Sequence, residues 1–304
     1  MGPGRSRLVR ALTEVRALVI GGSGLVGSAL LRRLGPDGVG TYRTRPRPGL
    51  RPLDAGDPDA VRRLVASVGP DVIFFPAANA NVDACEREPE AAARENLEPL
   101  RATLAAAGHV PVVAYSSDYV FDGRSGPYAE DAPVSPISVY GRLKVELERL
   151  VMDAGGTIIR TTGVFGWEEP PAKNFVLRLA ASLARGERAR VPNDQIANPT
   201  YADDLAAASL EIAQDASGGL WHVAGADLLA RDAFARLVAE AFGADPGLIE
   251  GVPTSALGQA AQRPLRGGLT CRRYRERFGA TPVRPVRGAL AAVRARRASL
   301  QRIP

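Results

Sequence analysis

The sequence predicts an α/β chain: a Rossmann-type, doubly wound parallel sheet followed by a smaller C-terminal α/β lobe. Three observations carry this. Unbroken apolar runs of strand length recur at residues 17–20, 72–75 and 110–115. Helical patterns separate them, and the first run breaks into a glycine turn that opens directly into a helix. Strands buried on both faces read as continuous apolar stretches, and parallel neighbours need a crossover between them, so this alternation points to one wound sheet.

The elements follow in order. In "RALVIGGSGLVGSALLRRL", residues 16–34, a strand gives way to Gly21-Gly22-Ser23-Gly24 and then to helical spacing through Val26, Leu30 and Leu34. The next strand is "GVGTYRTR", 38–45, with a proline-rich loop behind it. Asp57-Pro58 can start a helix, after which "DVIFFPAANANVDACE" supplies the 72–75 strand. An alanine-rich helix over 89–108 stops at Gly108, and "VPVVAYSSDYVFDG" adds a strand at 110–115 that ends in a polar loop. Helix "VYGRLKVELERLVMDAG" then runs to the strand "TIIRTTGVFG".

Beyond about residue 165 the regular alternation fades. "NDQIANPTYADDLAAASLEIAQ" still reads as a loop entering a helix, and "ARDAFARLVAEAFG" as a separate amphipathic helix. The expected organisation is a dinucleotide-binding domain over 1–165 with a returning segment near 190–212. Residues 166–304 form mainly a substrate-binding lobe over the carboxyl edge of the sheet. The tail "ALAAVRARRASLQRIP" reads as solvated and partly frayed rather than as a partner-binding basic helix.

Composition excludes several classes. The net charge of +6 comes from scattered arginines, and the basic clusters at 43–51, 271–277 and 293–297 lack interleaved aromatics, so nucleic acid is not an expected partner. The basic N-terminal segment has no following apolar run of signal-peptide length, and nowhere do 18 apolar residues run together. Neither secretion nor a membrane span is expected. Cys85 and Cys271 form no CxxC pair and His109 stands far from His222, which argues against a disulfide framework and against a metal site. A reducing cytoplasm is the expected compartment, and both histidines read as structural because no serine or carboxylate motif accompanies them.

Gly21, Gly24 and Gly27 form G-x-x-G-x-x-G at a strand-to-helix turn. A pyrophosphate can approach the amides of a helix N-terminus only where no Cβ intervenes, so a dinucleotide is expected here. At the end of the second strand the run Thr41-Tyr42-Arg43-Thr44-Arg45 offers no acid for a ribose hydroxyl. Arg43 and Arg45 could instead take a 2′-phosphate, which favours NADPH/NADP+, with NADH still allowed.

Only two of the 39 basic residues are lysines, yet one of them, Lys144, stands four residues after Tyr140. On a helix the two share a face, about 5 to 6 Å apart between Cβ atoms. A phenol is a poor proton donor to an alkoxide until a cation stabilises its ionised form, and a compact ammonium suits that role. Ser117 ends the strand beside them, and strand alternation turns Ser116 the other way. Tyr140, Lys144 and Ser117 are the candidate catalytic residues.

With these motifs in place, the chain resembles the extended short-chain dehydrogenase/reductases. More narrowly, "AANANVDACEREPE", "SSDYVFDG", "PISVYGRLKVELE", "NDQIANPTYADDLA" and Arg263-Pro264 look like the dTDP-4-dehydrorhamnose reductases. That resemblance implies NADPH-dependent reduction of the C4 ketone of a nucleotide-linked, dTDP-type 4-keto-6-deoxysugar in deoxysugar biosynthesis. Ser117 falls where the family usually has threonine. The implied cofactor contacts are the turn residues Gly21, Ser23, Gly24, Leu25 and Gly27, then Ala77 and Ala78, Asp54 near the adenine, Asn96 on the central helix, and Lys144 at the nicotinamide ribose.

Asp118, Tyr119, Trp167, Asn174 and Arg263 are the implied sugar-nucleotide contacts. Where many relatives carry a tryptophan after "Arg-Thr-Ser", this chain has Gly163, with Trp167 four residues later. The resemblance also allows a homodimer. Three rivals share parts of the pattern. An epimerase would keep its cofactor without net consumption. A dehydratase commonly follows the hydroxyl residue with Asp-Glu, whereas Ser117 precedes Asp118-Tyr119. A non-catalytic regulator like the regulatory subunit of methionine adenosyltransferase would bind NADP yet serve as a partner.

Overall fold

The structure, a computed structural model, describes residues 15–279 and 283–300. The N-terminal segment read as lacking a signal peptide, residues 1–14, lies outside the described residues, as do residues 301–304 of the basic tail.

Seven parallel strands form the main sheet: β1 (Ala17–Val19), β2 (Gly38–Tyr42), β3 (Arg51–Pro52), β4 (Val72–Phe75), β5 (Val112–Ser117), β6 (Thr157–Thr161) and β11 (Gly219–His222). Their order is β11-β6-β5-β4-β1-β2-β3, so the winding direction reverses between β1 and β4. In such sheets the crevice outside the carboxyl ends at that reversal is where ligands bind. The expected 38–45 strand ends early, at Tyr42. The proline- and arginine-rich loop behind it hides β3, whose two exposed residues give no apolar signal.

Period-2 alternation divides the sheet into two cores. Ala17, Val19, Phe74, Val113, Tyr115, Ile159 and Trp221 face α1 (Leu25–Leu34) and α7 (Ala202–Asp215). Leu18, Ile20, Ile73, Phe75, Ala114 and Ile158 face α2 (Pro58–Val68), α4 (Pro89–Ala107) and α5 (Val139–Asp153). Local chemistry sets the helix ends. Asp57 accepts the Asp59 and Ala60 N–H groups at the head of α2, Ser138 accepts the Gly141 N–H at the head of α5, and Gly108 follows α4 at φ 58.

The remaining short strands and helices build the second lobe: β7 (Val164–Phe165) pairs β10 (Thr200–Tyr201), β8 (Ala189–Pro192) pairs β13 (Ile249–Val252), and β9 (Ile196–Ala197) pairs β12 (Leu229–Ala230). α6 (Phe175–Leu183), α8 (Arg231–Phe242) and α10 (Val286–Leu300) enclose a third core that includes Val176, Leu183, Phe234, Val238, Leu290 and Val293. α10 corrects the reading of the tail as frayed, since it is helical and Val286, Ala289, Leu290 and Val293 are buried in that core, although Arg294, Ala295, Ala298 and Ser299 are exposed. The chain re-enters the main sheet through α7 and β11, and α9 (Arg272–Phe278) covers β11 with Tyr274 and Phe278. Two further helical pieces matter for the site: α3 (Val82–Arg87) and the 3-10 turn Asp118–Val120 after β5.

Candidate active site

The turn after β1 is shaped by two glycines. Gly21 has φ +98, and a Cβ there would lie 3.0 Å from the Ala77 backbone at the end of β4. A Cβ on Gly27 would sit 2.2 Å from the Gly21 carbonyl oxygen, so α1 can approach β1 only with glycine at that place. The first helical backbone bond runs from Ser28 N–H to Gly24 O, leaving the Leu25, Val26 and Gly27 amides without intrahelical acceptors. Thr41 Oγ1 accepts the Gly21 N–H at 3.2 Å and fixes the turn to β2. Ser23, Gly24 and Leu25 are part-exposed in it. Unpaired amides at a helix head beside bare backbone suit a dinucleotide pyrophosphate.

Tyr140 and Lys144 occupy one face of α5, and both are nearly enclosed, at 9% and 5% exposure. α5 sits close because Gly141 packs on the 3-10 turn; a Cβ there would fall 2.2 Å from Tyr119 O. The Tyr140 ring meets the Tyr119 ring edge to face at 5.6 Å, and Lys144 Nζ lies 5.6 Å from the Tyr140 ring centroid. Lys144 Nζ donates to Tyr115 O at 2.9 Å. Ser117 Oγ donates to Asp118 Oδ1 at 3.1 Å and is near enough to Tyr140 to favour the ionised phenol.

Burial controls both titrations. It pushes the Tyr140 phenol above its ordinary value, helped by Tyr119 and Asp118 and opposed by Ser117. It pushes the Lys144 ammonium down to about 8, with Glu148 opposing. Desolvation of the phenol thus dominates its titration even with the Lys144 cation close by.

Ser116, on the α5 side of β5 like Ala114, donates to Glu148 Oε1 at 2.5 Å. Glu148 pairs with Arg160 at 2.6 and 2.7 Å, and the His222 ring lies 3.4 Å from Arg160 Nη1 and 3.1 Å from Thr270 O. This buried network ties β5, β6, β11 and α5 together behind the site. Burial and the Arg160 charge hold His222 down to about 3, so it stays neutral.

On the lobe side, Arg263 and Arg231 act on Tyr119, and the exposed Arg178 stands near Arg231. Arg263 is 8% exposed and donates from Nη2 to Asp83 Oδ2 at 2.8 Å, while its Nη1 is buried without an acceptor among the described residues. Arg231 stacks on Phe175 at 4.2 Å, and burial, with Arg178 and Arg263 nearby, holds its pKa below the ordinary value. Sequence reading missed Arg178 and Arg231. In a chain so rich in arginine, neither stands in a motif that separates it from the scattered majority.

Several predicted site residues have other duties in this structure. Asn96 accepts the Asn79 N–H and donates to Ala92 O, which pins the loop after β4. Asp118 is buried, accepting from Ser117, Thr162 Oγ1 and the Gly268 N–H. Asn174 caps α6 through Leu177 N–H and donates to Gly166 O. Arg45 pairs with Glu168 at 3.3 Å, whereas Arg43 is exposed at the end of β2. Asp54 is exposed and accepts the Gly56 N–H; Ala77 and the exposed Ala78 lie beside the glycine turn; Trp167 packs against the third core. Gly163 has φ +55, a backbone state that tryptophan rarely adopts.

Known proteins share this chain's sequence and fold. Residues 15–298 match the family described as RmlD substrate binding domain. A dTDP-4-dehydrorhamnose reductase from Burkholderia thailandensis is 32% identical over 286 residues, covering 87% of this chain and 93% of the relative. The methionine adenosyltransferase 2 subunit beta of Danio rerio is 31% identical over 269 residues, covering 85% and 83%. Among solved structures, the dTDP-4-dehydrorhamnose reductase of Bacillus anthracis in complex with NADP superposes with a TM-score of 0.85 at 24% identity, covering 93% of this chain and 99% of that one.

Proposed function

The chain belongs to the RmlD substrate binding domain family, and from that premise we propose that it is an NADPH-dependent 4-ketoreductase acting on a nucleotide-linked 4-keto-6-deoxysugar, of dTDP type, in deoxysugar biosynthesis. The observation that carries this reading is the meeting of Tyr140, Lys144 and Ser117 at the carboxyl end of β5, on the same edge of the sheet as the glycine turn after β1.

The glycine turn and the amides of Leu25, Val26 and Gly27 hold the cofactor pyrophosphate, and Arg43 stands at the end of β2 for a 2′-phosphate. The reduced nicotinamide supplies the hydride that reaches the ketone carbon. Tyr140 Oη donates its proton to the ketone oxygen, which becomes the new hydroxyl. Ser117 Oγ hydrogen-bonds that oxygen, and Lys144, held by Tyr115 O, places positive charge behind the phenol as it loses its proton. Arg263, beside Tyr119, receives the anionic nucleotide part of the substrate. Residues 15–165 with the returning α7 and β11 serve as the cofactor domain, and the third core supports the substrate lobe. With glycine at 163, the sugar need not be the rhamnose precursor.

Similarity to the methionine adenosyltransferase 2 subunit beta supports a second reading, a non-catalytic NADP-binding partner. One assay separates the two. Purified protein is mixed with NADPH and a freshly generated dTDP-4-keto-6-deoxyglucose, with and without a sugar epimerase, and the reduced-nicotinamide absorbance is followed. Consumption that disappears in Tyr140→Phe supports the reductase; no consumption with NADPH binding intact, and co-purification with a synthetase, supports the partner.

A further inference from the structure

α3 stands between the catalytic tyrosine and the loop that carries Arg263. Cys85 packs with Tyr140, and Glu86 Oε2 accepts the Val139 N–H at the head of α5 at 2.8 Å. Asp83 turns toward the lobe: Oδ1 accepts the Ala261 N–H at 3.0 Å, and Oδ2 accepts from Arg263 Nη2 at 2.8 Å. One carboxylate thus fixes both the backbone of the 261–263 loop and the guanidinium it carries.

We propose that Asp83 is a positioning residue for nucleotide-sugar binding, holding Arg263 so that its remaining donors meet the diphosphate of the substrate. This rests on the ketoreductase reading above. Three features converge on it. Arg263 is engaged on one side only, and buried charged donors are rarely left unpaired, so Nη1 lacks the acceptor that such a group requires. The guanidinium lies beside Tyr119, whose ring touches Tyr140, and its charge acts on Tyr119 together with that of Arg231. Finally, Asp83 is the one carboxylate bonded to any of Arg178, Arg231 and Arg263 among the described residues. Arg231 and Arg263 with one bonded acid leave a net positive site suited to a diphosphate, and a planar fork fixed at one edge binds oxyanions with little further loss of side-chain freedom.

The test measures the Kd of dTDP by calorimetry on the full chain saturated with NADP+, for wild type, Asp83→Asn, Arg263→Gln and the double variant. Asp83→Asn keeps an oxygen for Ala261 but removes the carboxylate charge that holds Arg263. The expected result is dTDP affinity weakened roughly tenfold by Asp83→Asn, a double variant no weaker than Arg263→Gln, NADP+ affinity within about twofold of wild type, and a KM for keto sugar that rises more than kcat falls. Asp83→Glu, which retains the charge, should recover part of the loss, and Asp83→Ser, which removes it, serves in place of Asp83→Asn if that variant does not fold. Wild-type affinity in Asp83→Asn, or full additivity in the double variant, would overturn the proposal. If wild type binds dTDP with this pattern yet reduces no keto sugar, the reaction reading alone fails; if wild type has no affinity for dTDP, the positioning role falls too.

Discussion

Lys144 Nζ donates to the carbonyl oxygen of Tyr115 at 2.9 Å. That bond joins helix α5 to the strand that delivers Ser117, so the ammonium is anchored on the sheet while its charge stands 5.6 Å from the Tyr140 ring. An arginine in this buried space would have to fit a larger planar fork to one backbone acceptor. The relationship accounts for a lysine in a chain that otherwise uses arginine almost everywhere. Lys144→Arg should therefore lose most turnover, with kcat reduced ~10²-fold, while circular dichroism stays that of the wild type.

The pH profile follows from the same residue. Burial sets the Lys144 pKa to about 8, below its model-peptide range. The cation behind Tyr140 is consequently present below pH 8 and lost above it, so kcat should decline on the alkaline side with a midpoint near that value. Lys144→Met should be slow at every pH and lack this limb. The stability sign is opposite: the unfolded chain binds the extra proton between about pH 8 and the ordinary lysine value. Thermal denaturation should show this site's destabilising contribution in full below pH 8, fading as pH rises through that window.

Tyr140→Phe removes the proton donor and leaves a ring of nearly the same size against Tyr119 and Cys85. Turnover should fall ~10²- to 10⁴-fold. NADPH affinity, measured by fluorescence titration, should stay within about twofold, since no cofactor contact is assigned to the phenol oxygen.

Gly27→Ala would place a methyl 2.2 Å from the Gly21 carbonyl oxygen, which is backbone and cannot swing aside. The expected consequence is displacement of α1 from β1, a loss of about 1–3 kcal/mol in denaturant melts, and NADPH affinity reduced by more than the stability loss accounts for.

Glu148→Gln tests the network behind the site. Arg160 is 4% exposed on its side chain, and removing its charge partner strands a buried cation. Urea denaturation should report a loss of about 3–5 kcal/mol. Replacing both partners with apolar residues should recover much of that loss.

How far the sequence could be read follows from what each residue answers to. The glycine turn, the parallel strands and the Tyr140/Lys144 pair are local patterns: unbroken apolar runs, a turn with no room for Cβ atoms, and one helical turn of spacing. Ser116 bonds Glu148 on α5, and Ser117 bonds Asp118 in the 3-10 turn. Residues whose engagement depends on distant chain were not legible. Asp118 meets Thr162 and Gly268, Asn96 meets Asn79, and Arg45 meets Glu168 across 123 residues. Arg231, Arg263 and Asp83 gather near Tyr119 only through tertiary packing, which no local periodicity encodes. The α10 helix was misread because its arginine-rich face dominates the composition, while Ala289, Leu290 and Val293 sit on the buried face.

The most direct test of the central claim is transfer of label. The protein is incubated with NADPH carrying deuterium at the transferable C4 position and a dTDP-4-keto-6-deoxysugar, and the sugar product is analysed by mass spectrometry and proton NMR. The account predicts one deuterium at the sugar C4, retained in the product, with a yield that collapses in Tyr140→Phe. Unlabelled product, or bound cofactor with no product from any keto sugar supplied, would contradict it.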